Sequence, residues 1–157
     1  MNKQIRQEYL DIAISTGIFT QEEVKTLSEV LDDCHNDKPG DYYLLFEEKV
    51  DDKRIGFIVV DRVAITAYAW DIFWLVVHKD FQGKGYGKKL LERVEKHVLE
   101  EKEKAIIRVE TSTKMEYTHA RNLYVKKGYI ESGRVANFYS KGDDLIIYSK
   151  EIVREKV

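Results

Sequence analysis

The sequence predicts a mixed α/β chain with a largely antiparallel central sheet flanked by helices and one crossover. Three observations carry that expectation. Two helix-patterned segments precede the first strand-patterned one, and short extended segments then follow one another with turn signals between them. A single glycine-rich segment, 82–89, leads from an apolar strand into an amphipathic helix, as a crossover to a parallel neighbour requires. No repeat, low-complexity tract or linker interrupts the order, so the 157 residues are read as one domain, 1–157.

In chain order, Ile5, Tyr9, Ile12 and Ala13 recur at helical spacing until Gly17 stops the pattern. Thr20 and Glu23 form a capping box, with Phe19 and Val24 spaced as a hydrophobic staple, and Val24, Leu27, Leu31 and Cys34 continue the apolar face of a second helix. Pro39-Gly40-Asp41 signals a turn into an aromatic-rich strand, Tyr42 to Lys49, and Asp51, Asp52 and Lys53 make a hairpin tip before its partner, Ile55 to Arg62. A third extended piece is expected over Val63 to Ala69 and a fourth over Asp71 to His78. The centre of that fourth strand, Phe73 to Val77, is apolar on both faces and so belongs in the middle of the sheet. Leu90, Leu91, Val94 and Val98 mark the buried face of the next helix, opposite Glu92, Arg93, Glu95 and Lys96. Ala105 to Thr111 is a strand. Thr113 and Glu116 offer a second capping box for a helix through Ala120, Leu123 and Tyr124 that ends at Gly128, and Ser140-Lys141-Gly142-Asp143 turns a last hairpin between Tyr129 to Tyr139 and Leu145 to Ile152.

Composition excludes several function classes. The chain is 43% hydrophobic and 34% charged with a net charge of -2, a balance that points to neither nucleic acid nor a membrane surface. Its longest apolar runs, Ile55 to Val60 and Ile72 to Val77, fall far short of the ~20 residues a spanning helix needs. No apolar block follows Lys3 and Arg6, so no secretory signal is expected and the expected location is cytoplasmic. Cys34 is the only cysteine and is read as a packing residue. His35, His78, His97 and His119 show no metal-ligand spacing, so no metal is expected.

The chemistry concentrates in Gln82-Gly83-Lys84-Gly85-Tyr86-Gly87-Lys88-Lys89. Glycines let successive backbone N–H groups turn inward without Cβ obstruction, and the helix that follows adds the partial positive charge of its N-terminus. Lys84, Lys88 and Lys89 add side-chain charge, so the segment suits a pyrophosphate. Its spacing is neither the dinucleotide-binding G-x-G-x-x-G nor a P-loop, which lowers NAD and Mg-ATP as ligands; a tight strand-to-helix turn without a ligand is the plain alternative.

Gln82-x-x-Gly85-x-Gly87, after a strand ending Leu75-Val76-Val77-His78, resembles the Q/R-x-x-G-x-G/A signature of the GNAT superfamily of N-acetyltransferases. Ala120-Arg121-Asn122-Leu123-Tyr124 with Lys127-Gly128-Tyr129 resembles that family's second hallmark, and the two lie in the expected order within a similarity that spans roughly Tyr42 to Ile152. One position departs: many relatives carry asparagine seven residues before the helix tyrosine, where this chain has Tyr117, and Asn122 is the available substitute.

The resemblance implies a fold whose central strands, here Phe73 to His78 and Ala105 to Thr111, splay to admit a pantetheine arm. It implies acetyl-CoA as cosubstrate, held by Leu75, Val76, Val77, Gln82, Gly83, Lys84, Gly85, Tyr86, Gly87, Lys88, Asn122 and Tyr124. It implies Tyr124 as the group that steadies the departing thiolate, with Val77 N–H stabilising the tetrahedral oxyanion. The alternative for Tyr124 is an ordinary core aromatic. A lysine-like amine with pKa ~10.4 must lose a proton, at a cost of roughly 4.6 kcal/mol at pH 7, before it can attack. Asp71 falls where some histone acetyltransferases of the family carry their base; a water chain, Glu110 as a lesser candidate, and a merely ion-paired Asp71 stay open beside it. Tyr68, Trp70, Trp74 and Tyr139 are candidates for an acceptor cleft or for core, and Asp143 and Asp144 read as a solvated hairpin tip, with contact to a cationic acceptor as the alternative. The expected partner is a small-molecule or peptide amine, with no nucleic acid and no membrane; oligomeric state stays open, a homodimer included. A noncatalytic CoA-binding regulatory module and a nucleotide-phosphate binder are the competing readings.

Overall fold

A computed structural model describes residues 1–35 and 43–156. The Pro39-Gly40-Asp41 turn and Tyr42 lie outside the described residues. By its internal contacts the chain forms two compact units, one made of Met1–Arg62 with Trp74–Val94 and the other of Val63–Phe73 with Glu95–Val157.

The first unit begins with α1 (Lys3–Ser15), whose first turn is capped by Asn2 Oδ1 accepting from Gln4 N–H at 2.7 Å. The predicted capping box opens α2 (Gln21–His35): Thr20 N–H donates to Glu23 Oε2 at 2.7 Å and Glu23 N–H to Thr20 Oγ1 at 3.1 Å. β1 (Tyr43–Val50) and β2 (Lys53–Arg62) pair antiparallel around a tip at Asp51 and Asp52. Tyr9, Ile12, Ala13, Leu27 and Leu31 of the two helices bury against Phe57, Val59 and Val76, which forms the core of this unit. The lone cysteine packs at its margin, as expected, and burial pushes its thiol pKa up to about 11.

The segment Val63 to Ala69 is not a strand. Val63 N–H donates to Ala69 O at 2.9 Å, Thr66 Oγ1 donates to Val63 O at 2.7 Å and accepts from Ala69 N–H at 3.2 Å, and Ile65 sits at φ 62°. The threonine hydroxyl closes a loop whose apolar residues had read as extended, and β3 begins only at Ala69 and runs to Val77.

The hydrogen-bonded strand order is β1-β2-β3-β4-β6-β5, with β4 over Lys104–Ser112, β5 over Ile130–Ser140 and β6 over Asp143–Val153. The sheet is mixed and mostly antiparallel. Its parallel pair is β3 with β4, joined through α3 (Tyr86–Glu101), so the crossover falls where the glycine segment predicted it. β3 is interior in this order, yet its middle is not buried on both faces: Phe73 is 48% exposed while Ile72 and Val76 are buried. The β3–β4 register covers Ala69–Ile72 against Ile106–Val109.

In the second unit the Thr113/Glu116 capping box does not form. Thr113 Oγ1 instead accepts from Asp144 N–H at 2.8 Å and Thr113 N–H donates to Asp144 O at 3.1 Å, so the residue is spent on tying this loop to the β5–β6 turn. A 3-10 turn, Met115–Tyr117, intervenes and α4 spans Thr118–Lys126. Asp143 is also not a solvated tip residue. It is 4% exposed, accepts a short hydrogen bond from Ser112 Oγ and lies 3.8 Å from Lys114 Nζ. Among the described residues no helix is long and apolar enough to cross a membrane, and no group of three or more His, Cys, Asp and Glu side chains is arranged to hold a metal ion.

Candidate active site

The glycine segment lies wholly in the first unit, and the residues around it explain its shape. At the end of β3, His78 N–H donates to Ile55 O at 2.7 Å, and His78 Nδ1 accepts from Asp80 N–H at 3.1 Å to start a 3-10 turn, Lys79–Phe81. Gln82 Nε2 then donates to Val77 O at 3.0 Å, which ties the turn back to the strand it leaves. Gly83 and Gly85 follow at φ +75° and +88°, a backbone region that side chains rarely tolerate, and an added Cβ at either would meet nothing within 4 Å. The turn is therefore built for open space rather than for packing. Tyr86 opens α3, whose first turn carries no acidic side chain, and Lys89 N–H to Gly85 O at 3.1 Å is the first helical bond there. The N–H groups that precede it are left for another acceptor. Lys84 and Lys89 rest over the rings of Phe81 and Tyr86 at 5.4 and 5.2 Å, which holds two ammonium groups at the turn, while exposed Lys88 lies 3.8 Å from Glu92. Val76 is buried in the core, and Leu75 and Val77 are half-buried on either side of it. The predicted cofactor residues from Leu75 to Lys88 thus form one continuous strand, turn and helix start.

The remaining candidates belong to the second unit. Tyr124 is buried on α4, its ring tilted against those of Tyr129 and Tyr148 at 5.8 and 5.9 Å. Its carbonyl accepts from Tyr129 N–H at 2.9 Å, and burial pushes its phenol pKa well above the ordinary value. Tyr129 extends this packing into a polar network. Its hydroxyl donates to Glu95 Oε1 at 3.3 Å, and Lys150 Nζ donates to the same oxygen at 2.8 Å while lying 5.5 Å from the Tyr129 ring centroid. Asn122 is exposed, roughly 200° around the helix from Tyr124.

Asp71 is held by Arg108 through two bonds, Nε to Oδ1 at 2.8 Å and Nη2 to Oδ2 at 2.7 Å. The candidate base is thus paired with an arginine of the neighbouring strand rather than with a surface lysine. Glu110 is exposed two residues beyond Arg108. Trp70 is core, its indole N–H finding no hydrogen-bond partner among the described residues, and Trp74 packs edge-on to Phe19 at 5.2 Å in the first unit. Tyr68 carries Lys104 over its ring at 4.8 Å, whereas Tyr139 is exposed on β5.

Reading the sequence missed Arg108, Glu95, Lys150 and Gly56. Arg108 alternates with buried Ile107 and Val109 and so faces the other side of the strand, where its partner is set by the β3–β4 register. Glu95 and Lys150 are 55 residues apart, and nothing local announces their pairing. Gly56 is a close-approach site: a Cβ there would stand 3.2 Å from Val76 O and 3.4 Å from Leu90 Cδ1.

Residues 39–131 match the family described as the acetyltransferase (GNAT) domain. Among solved structures, one from Desulfovibrio desulfuricans that is assigned to the GNAT family is 28% identical, with a TM-score of 0.86 over 96% of this chain and 94% of that one. The ribosomal-protein-S18-alanine N-acetyltransferase of Escherichia coli is 18% identical, with a TM-score of 0.77 over 99% and 93%. The PaiA N-acetyltransferase of Thermoplasma acidophilum, in complex with coenzyme A, is 17% identical with a TM-score of 0.74 over 97% and 96%. No curated protein matches the sequence.

Proposed function

Because the chain belongs to the GNAT acetyltransferase family, we propose that it transfers the acetyl group of acetyl-CoA to a primary amine by direct attack, acting as one domain over 1–157. The observation that carries this is the cradle at 82–89: two left-handed glycines with open space before them, lysine ammonium groups beside them and a helix N-terminus behind. A Cβ at Gly83 or Gly85 would occupy the space a phosphate needs, so the residues present fit the group. Coenzyme A in the Thermoplasma relative supports the same ligand class.

When bound, acetyl-CoA supplies an activated acyl carbon and a thiolate leaving group. Gln82 to Lys88 would hold its pyrophosphate, largely by backbone N–H, and the backbone of Leu75, Val76 and Val77 would pair with the pantetheine amides, Val77 N–H being the proposed oxyanion donor. Exposed Asn122 is a further proposed contact. Tyr124 would hold the thiolate by a hydrogen bond. A thiol of pKa ~8.5 gives up its proton more readily than a tyrosine of pKa ~10, and burial moves Tyr124 further up, so its proton stays on the phenol. The amine's proton leaves to Asp71 or through water, and the Arg108 pair supports the water route because both Asp71 oxygens already accept from the guanidinium. The acceptor is a small-molecule, peptide or protein amine. The proposed location is the cytoplasm, where the lone Cys34 would stay reduced.

Thermal unfolding tests the reading. CoA and acetyl-CoA at 100 times the dissociation constant should stabilise the protein by about 2.7 kcal/mol in one cooperative transition, and ATP should not. Absence of a shift with saturating CoA rejects the proposal; a shift without CoA release on any amine reduces it to a noncatalytic CoA-binding module.

A further inference from the structure

β5 ends the strand order, and every residue of it but half-buried Gly133 is exposed, whereas β1 at the other end is half-buried at every residue but Lys49. Half of the backbone N–H and C=O groups of an edge strand point away from its one neighbour, and proteins commonly guard such a row with lysine or proline. β5 contains neither. Its apolar side chains stand in solvent instead, Ile130 67% and Val135 46% exposed.

The register with β6 sorts these side chains. Ile130, Glu131, Gly133, Arg134 and Val135 stand opposite Ser149, Tyr148, Ile147, Ile146 and Leu145, with Ser132 as the extra residue of a bulge. Directly opposed residues share a face, and successive residues of a regular strand alternate. Ser149 and Leu145 lie an even number of places apart on β6, so Ile130 and Val135 share a face. Tyr148 and Ile146 in the same way put Glu131 and Arg134 together on the other face, where Arg134 Nε donates to Glu131 Oε1 at 2.7 Å. From Ile130 to Val135 the strand reads apolar, acidic, small, small, basic, apolar, the same order from either end with the charges exchanged. Beyond Val135 the ladder is irregular, with Asn137 at φ 56°.

We propose that the Ile130–Val135 edge is a docking surface for a second copy of this chain, paired antiparallel about a two-fold axis between Ser132 and Gly133. In that register Ile130 faces Val135 of the second copy, Glu131 faces its Arg134, and each contact occurs twice. A two-fold axis through a continuous sheet requires opposed residues to point to the same side. Ile130 and Val135, an odd number of places apart, would point to opposite sides in a regular strand; the bulge at Ser132 brings them, and the two charged residues, into agreement. Arg134 uses Nε on its own Glu131 and Nη1 on Asp144 at 3.3 Å, and a guanidinium carries five N–H donors, so the carboxylate across the axis completes a ring of alternating charge. Because the contact is isologous, it consumes the edge in both copies and association stops at the dimer. Pairing of this kind is independent of acetyl transfer.

Sedimentation equilibrium of the full chain, loaded from about 5 to about 500 μM, should show the mass rising towards twice that of the chain and no further. Glu131→Arg places four cations around the axis and Arg134→Glu four carboxylates, so each variant alone should dimerise at least about tenfold more weakly than wild type. Mixed in equal amounts the two are complementary again and should form a heterodimer. Both residues are exposed, so far-UV circular dichroism should be unchanged. Val135→Lys gives a second route through the opposite face and should also leave a folded monomer, which keeps the test decisive if a charge reversal disturbs the strand. A wild-type chain that stays monomeric over the whole range overturns the inference. So do growth beyond the dimer, a dimer that persists undiminished in the folded variants and so uses another face, and charge-reversed variants that fail to associate when mixed.

Discussion

The glycine turn of the first unit and the tyrosine network of the second are built from different materials. The turn is made of backbone: two glycines at positive φ, one glutamine amide returned to Val77 O, and N–H groups at the start of α3. The surroundings of Tyr124 are made of side chains drawn from distant parts of the chain, with Tyr129 and Tyr148 against its ring and Glu95 and Lys150 joined to Tyr129. A backbone device is insensitive to most side-chain changes and fails when its conformation is denied. A side-chain network loses stability with each member removed, by an amount that depends on the members that remain.

The sharpest way to break this contrast is Gly85→Asp, which imposes a Cβ at φ +88° and places a carboxylate in the cradle. CoA affinity should fall by about 100-fold or more while circular dichroism is preserved. Unchanged affinity by calorimetry would show that the turn does not carry the phosphate. Tyr124→Phe comes next: it keeps the buried ring and removes only the hydroxyl, so turnover should drop by up to ~10²-fold with CoA affinity nearly constant. Equal turnover in the two proteins, with transfer shown to be rate-limiting, would return Tyr124 to a packing role. The smallest effect is expected for Lys150→Met, which leaves the mostly buried Glu95 carboxylate with Tyr129 alone. It should cost about 2 kcal/mol in urea unfolding, since removing one partner of a buried pair exposes the desolvation penalty of the other. A loss within error would mean that Lys150 contributes packing and not charge.

The same contrast explains what could be read from the sequence. The turn, its crossover and both halves of the capping box at Thr20 and Glu23 depend on sequence neighbours, and they stand where the residues placed them. Errors arose where a local signal competed with a distant partner. Thr113 had the spacing of a capping residue, but Asp144 claims its hydroxyl, and Asp143 had the look of a solvated tip until Ser112 and Lys114 surrounded it. Val63 to Ala69 failed in a third way, through a threonine hydroxyl that offered the backbone a loop instead of a ladder. Asp71 could be named as a candidate because, counted from Gln82, it falls where the resemblance to some family members places a base. Its engagement by Arg108, 37 residues away, depends on a register that no local pattern encodes.

Gly56 gives the first unit an uneven tolerance to genetic change. Every single-nucleotide change away from a glycine codon either keeps glycine, stops the chain or adds at least a Cβ, and here the smallest addition would press a methyl group against Val76 O at 3.2 Å. The carbonyl could yield only by carrying β3 with it, immediately before the residues that tie into the 82–89 turn. Drift at this one codon is therefore screened by the geometry of the proposed cofactor turn several residues away, whereas the exposed lysines of that turn can vary among other cations.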